Sequence, residues 1–130
     1  MLLVSSEEKA QEELRDIFQK TKWALRRVSS YEETAKELKK DPPSVVICEE
    51  ELEDGKWQDI LVLVEECGSP LIVAAAYNDD VVNNGHLWSE VLNLGGYDVL
   101  ARPLDNEEVF RIVAGAWRYW REKKKREQEQ

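Results

Sequence analysis

Val45-Val46-Ile47-Cys48 is an unbroken apolar run, rich in β-branched residues, and it constrains the fold more than any other feature. A strand with no polar face must be covered on both sides, which is the situation of strands in parallel sheets flanked by helices. Leu2-Leu3-Val4 and Leu71-Ile72-Val73-Ala74-Ala75 read the same way, and Tyr97 to Ala101 reads as a further strand. Trp23 to Val28 is a weaker one, interrupted by Arg26 and Arg27, and belongs at or near an edge. Between these runs the apolar spacing turns helical: Ala10, Leu14, Ile17 and Phe18, then Tyr31, Ala35 and Leu38, then Trp57, Ile60, Leu61 and Val64. A fourth helix is expected from about His86 to Leu94, and a long fifth carries Val109, Ile112, Val113, Ala116 and Trp120.

The boundaries have their own signals. Ser5 with Glu8 and Ser30 with Glu33 have capping-box spacing, and Asp105 with Glu108 caps the last helix. Asp41-Pro42-Pro43 and Gly68-Ser69-Pro70 break helices, Asn83-Asn84-Gly85 reads as a turn, and Gly95-Gly96 is a helix stop. Five strands alternating with five helices require right-handed crossovers, hence a three-layer (βα)5 sandwich around a five-stranded parallel sheet. Length supports one domain, residues 1–120, with 121–130 as a charged extension of the last helix, a linker or a solvated end. In such sheets functional groups gather at the carboxyl ends of the strands, here Ser5, Ser6, Glu49, Ala74, Ala75 and Arg102.

Charge and composition exclude several function classes. Acids outnumber bases 27 to 18, a net charge of -9, which opposes general nucleic-acid binding and adhesion to anionic membranes. Two cysteines and one histidine, widely spaced, make no zinc motif, and His86 has no nucleophile motif to serve. Cys48 and Cys67 read as small buried hydrophobes, and His86 as a surface residue. With no signal peptide or long apolar span in view, a cytoplasmic location is expected.

Three stretches are more specific. Val45-Val46-Ile47-Cys48-Glu49 is followed by Leu52 and Asp54-Gly55. Pro70-Leu71-Ile72-Val73 leads to small residues at its strand end. Leu94-Gly95-Gly96-Tyr97-Asp98-Val99-Leu100-Ala101-Arg102-Pro103 joins a glycine turn, a strand and a base before proline. In these, and in element order from Leu2 to about Trp120, the chain resembles the receiver domain of bacterial two-component response regulators, the CheY-like, flavodoxin-like fold.

The resemblance implies a chemistry. A phosphoryl group passes from a partner histidine kinase to an aspartate. Carboxylate-held Mg²⁺ neutralises the phosphoryl oxygens, and a lysine and a hydroxyl hold the modified state. Carried over position by position, those groups are replaced. Ser5 and Ser6 stand at the acidic pair. Glu49 stands at the phosphoacceptor, one methylene longer than aspartate. Ala75 (Ala74 with a slip of one) stands at the hydroxyl, and Val99 at the switch aromatic. Arg102 stands at the lysine, before Pro103, where this family's peptide is typically cis. The resemblance therefore implies a pseudo-receiver, not an enzyme, with no catalytic residue, no metal, Mg²⁺ binding weak or absent, and Glu49 paired to Arg102. Its expected partners are a histidine kinase, an output protein or a second copy, with a homodimer through the helix 4–strand 5–helix 5 face.

Other readings stand beside this one. Glu49-Glu50-Glu51 with Glu53 and Asp54 reads as a solvated acidic loop rather than a cation site, and Glu7 and Glu8 as dipole partners of the first helix. Trp23, Trp57 and Trp120 fall on core positions. Trp88 and Trp117 lie off the main stripes, either as an interface or packed against a neighbouring helix. Two alternative functions remain: phosphotransfer with unusual chemistry at Glu49, and a flavodoxin-like binder of a small ligand. The latter needs a phosphate loop after the first strand, where Ser5-Ser6-Glu7-Glu8 places acids instead.

Overall fold

The 45–48 run lies at the centre of the sheet in the computed structural model, which describes residues 1–77 and 81–128, with backbone only for 81–83. Strands β1 (Leu2–Val4), β2 (Arg26–Val28), β3 (Val46–Glu49), β6 (Leu71–Ala74) and β7 (Asp98–Leu100) form one parallel sheet in the order β2-β1-β3-β6-β7. A small antiparallel pair, β4 (Glu51–Leu52) and β5 (Gly55–Lys56), sits in the acidic loop and was not expected.

Alternation of side chains divides the core. Val4, Val46, Cys48, Leu71 and Val73 face α2 (Tyr31–Lys40), α3 (Trp57–Cys67) and α4 (Val81–Leu94) through Leu38, Ile60, Val64, Leu87 and Val91. Leu3, Ile47, Ile72 and Leu100 face α1 (Glu8–Phe18) and α5 (Asn106–Gln128) through Leu14, Phe18, Ile112 and Val113. Both faces are therefore covered, which is why β1, β3 and β6 contain only buried residues. The expected three-layer (βα)5 sandwich is the fold observed.

Several local expectations change. Ser5 does not cap α1; Glu7 holds the N-cap position without a side-chain bond. Ser5 is instead fully buried, and its hydroxyl accepts from the Glu7 N–H at 3.2 Å where the chain leaves β1. Ser30 caps α2 as expected, accepting from Glu33 N–H at 3.1 Å, but the Glu33 carboxylate takes the Ser29 N–H rather than that of Ser30. Asp54, from the acidic loop, accepts from the N–H groups of Tyr31 and Glu32 and so supplies α2 with a second cap from a distance. Strand β2 keeps only Arg26–Val28 of the expected run and is an edge, while Trp23 leaves it to pack edge-on against Phe18. Helix α4 starts at Val81 and takes in Asn83-Asn84-Gly85, because turn propensity is a weak prior once a helix is already running. The sequence also reads Ala76 to Gly85 as one loop, longer than the resemblance implies; residues 78–80 of it lie outside those described, and α4 takes up the part from Val81. Cys48 is buried, but Cys67 is only half-buried. Helix α5 carries the charged tail on to Gln128. Among the described residues no helix is long and apolar enough to cross a membrane.

Candidate functional site

Parallel strands bring their carboxyl ends to one pole, and the chain places its buried ionic groups there. Glu49 is the last residue of β3, beside Ala74 of β6 in register. Arg102 follows β7 and precedes Pro103 across a cis peptide. The Arg102 guanidinium meets the Glu49 carboxylate with both forks, Nη2 to Oε1 at 2.8 Å and Nη1 to Oε2 at 3.1 Å. Nη1 also donates to the Ala75 carbonyl, and Nε to Glu13 Oε1 at 3.1 Å. The Arg102 side chain is 3% exposed and that of Glu49 9%. The sequence expectation that these two groups pair is met, in the bidentate geometry that suits arginine and that a lysine ammonium lacks.

Three further residues complete the network, and sequence reasoning missed them. Glu13, on α1, receives both Arg102 and the Tyr77 hydroxyl, the latter at 3.1 Å. Tyr77 lies under the Arg102 guanidinium at 4.1 Å from its ring centre, with the Lys9 ammonium 4.5 Å from the same ring. A signal did exist: Glu13 is three residues after Ala10 and directly before Leu14, at the margin of the buried stripe of α1. Tyr77 carried none, since it lies in a polar stretch with no periodicity.

Electrostatics follow from this burial. Removal from water pushes the Glu49 carboxyl above its ordinary value, and Arg102 pulls it only part of the way back. Burial also works against the Arg102 charge, but the bonds and charge of Glu49 outweigh it and raise that group. Burial, with Glu13 adding to it against the pull of Arg102, takes the Tyr77 phenol up to about 12. The Cys48 thiol is raised by burial and then by the Glu49 charge, so it is no nucleophile.

The remaining positions are distributed as follows. Ser6 donates to the Ser29 carbonyl at 2.7 Å and accepts from Glu53 N–H, so it ties the acidic loop to the end of β2. Ala75 is buried, and its carbonyl is the part that takes part in the site. Val99 is buried against the α3 and α4 side of the sheet and does not reach the ionic network. His86 is exposed. Trp88 is 50% exposed on α4, whereas Trp117 is partly buried against the α1 and α5 side and stacked with Arg121 at 4.7 Å. Trp117 is thus partly packed against its own chain. Trp57 is fully in the core. Trp23 and Trp120 are only partly buried, and the Trp120 indole N–H is enclosed without a partner.

Among the described residues, the buried donors at this pole do not match a hard dication. Mg²⁺ is held by carboxylates and water in octahedral array. Here the one buried carboxylate at the strand ends has both oxygens on a guanidinium, and the Ser5 hydroxyl is engaged by the Glu7 backbone. Among the described residues no three His, Cys, Asp or Glu groups converge as metal ligands.

No protein-family model and no curated protein matches the chain. Solved structures do. The signal receiver domain of a putative LuxO repressor protein from Vibrio parahaemolyticus superposes with a TM-score of 0.81 at 17% identity, over 95% of this chain and 92% of that one. The signal receiver domain of an HD domain-containing protein from Pseudomonas fluorescens Pf-5 gives 0.81 at 18% identity, over 96% and 90%. The beryllofluoride-activated NtrC4 receiver domain, a dimer in solution, gives 0.77 at 19% identity, over 92% and 96%. The fold is thus the CheY-like fold of response-regulator receiver domains.

Proposed function

We propose that this chain is a receiver-like signalling module of the two-component type, working through protein contacts without aspartyl phosphorylation. The observation that carries the reading is the buried bidentate pair of Glu49 and Arg102. At the pole where a receiver gains charge on phosphorylation, this chain already holds a carboxylate bonded to a cation. That bonded cation also grips the Ala75 carbonyl at the end of β6 and stacks on Tyr77. Among the described residues, the acid at the end of β3 is already bonded to Arg102, serines follow β1, and Ala75 offers no hydroxyl to an acyl phosphate. In this reading the domain is no enzyme and needs no cofactor. Its partner is a kinase, an output protein or a second copy meeting the α4–β7–α5 face, where Trp88 is exposed.

The test is incubation with Mg²⁺ and a small acyl phosphate, followed by intact-mass measurement. The expected outcome is an unmodified chain. A stable phosphoprotein that disappears in Glu49→Gln would overturn the proposal in favour of unusual phosphotransfer at Glu49. The flavodoxin-like alternative is disfavoured by the same pole, where Glu7 and Glu8 stand at the helix terminus that a phosphate would need.

A further inference from the structure

Charge is segregated along the strand axis. The helices run back against the strands, so their N-termini share the carboxyl pole with Glu49 and Arg102. First-turn acids such as Glu8, Glu32 and Glu107 lie there, together with exposed Glu51 and Glu53 of the loop. The opposite pole is dominated by the end of α5. The last fully buried residue of that helix is Ala116, yet it continues to Gln128, about 18 Å further at a rise of about 1.5 Å per residue. Residues 118–126 hold Arg118, Arg121, Lys123, Lys124, Lys125 and Arg126 against a single acid, Glu122. Lys123 Nζ lies beside Gly68, close enough that a Cβ there would meet it at 3.4 Å, which fixes this segment at the amino pole.

Within one copy that basic segment has few partners among the described residues. Among the described residues only Lys124 of the six is ion-paired, to Glu127 at 3.8 Å, while Arg121 stacks on Trp117. Arg121 with Lys124 and Lys125, and Lys123 with Arg126, are like charges at spacings where helix side chains meet and repel. A surface of opposite sign would relieve them, and each copy carries one. At the carboxyl pole a cleft of about 330 Å³ is lined by four acids, Glu7, Glu49, Glu50 and Glu51, with Lys9, Ala76 and Tyr77. Lys9 shows how an ammonium rests there, on the Tyr77 ring.

We infer that copies of this chain associate end to end, the basic end of α5 from one copy seating on the acidic mouth of the next. A second copy is favoured over a nucleic acid or an anionic membrane because each copy itself supplies an acidic mouth at the opposite pole, while the net charge of -9 opposes all three at long range and is screened by salt. The contact is heterologous, so it propagates into a ring or an open chain and leaves the α4–β7–α5 face free. The inference goes beyond the proposed function and does not depend on whether Glu49 accepts a phosphoryl group.

Sedimentation velocity of the 130-residue chain tests it. At about 0.1 M salt the Debye length is about 10 Å, so net repulsion is screened while contacting charges still act; at about 1 M it is about 3 Å. The expected result is a mass that climbs with concentration at the lower salt and returns to 15.1 kDa at the higher. A tail variant (Lys123→Glu, Lys125→Glu, Arg126→Glu) and a mouth variant (Glu51→Lys, Glu53→Lys), each checked for folding by circular dichroism, should be monomeric alone and should associate when mixed. A monomeric native chain at every concentration overturns the inference. So does association that persists in either variant or at high salt. Binding of the native tail to nucleic acid or anionic vesicles, with no self-association, would assign it to an anionic partner instead.

Discussion

Arg102 is the residue on which the site turns. Its guanidinium joins the ends of β3 and β6 to α1 through Glu49, Ala75 and Glu13. Burying two charges costs nearly as much as their attraction returns, so the pair is a positioning device more than a source of stability. Removing one partner is another matter, because it leaves the other charge buried and unpaired. Arg102→Met should therefore destabilise the fold by about 3–5 kcal/mol. Adding Glu49→Leu to it should recover most of that loss, since an apolar pair of similar volume removes the orphaned carboxylate. Urea denaturation of the two single variants and the double variant measures the coupling; additive losses would show that the two groups act independently. The pairing itself was legible in the sequence, since Glu49 and Arg102 both follow strands that end at the same pole. The participation of Glu13 and Tyr77 was not, because a half-exposed acid and a loop aromatic look alike whether or not a cation lies between them.

At the scale of elements, strands β1, β3 and β6 were read correctly because an all-apolar, β-branched run has few alternatives. Edge strand β2 was read too long: two arginines leave it little apolar surface, and only pairing with β1 decides where it stops. The start of α4 was misplaced for a different reason. Asn83-Asn84-Gly85 has strong turn chemistry, but the helix passes through it, and Gly85 is exposed with open space where a side chain would go. Its φ is not in the left-handed region, so nothing requires glycine there. Gly85→Ala should stabilise the protein by about 0.5–1 kcal/mol, through helix propensity and a less flexible unfolded chain. A rise in thermal midpoint checks this; a fall would mean that the helix begins after residue 85. Gly96 is the contrast, since a Cβ there would collide with the Val91 side chain and would be expected to disrupt the turn into β7.

The whole molecule responds to ligands as its donor set allows. Trp57 is 2% exposed, and its backbone N–H bonds the Glu50 carbonyl at 3.2 Å, next to Glu49, so among the five tryptophans it is placed near this pole. Titration with millimolar Mg²⁺ should leave the tryptophan emission unchanged, and a saturable response would reopen metal-assisted phosphotransfer. The fold class was determined by the sequence alone. Periodicity of two against 3.6, punctuated by glycine and proline, admits few packings once both sheet faces must be covered. That Ser5, Ser6, Glu49, Ala75 and Arg102 gather at the carboxyl ends of the strands was likewise readable from order along the chain. Only the tertiary structure decided what those residues do together. Ser5 disappears beneath the start of α1, Asp54 caps a helix more than twenty residues away in sequence, and the Tyr77 ring packs against two cations. Each of these depends on the distance between groups far apart in the chain, and a local pattern carries no information about that distance.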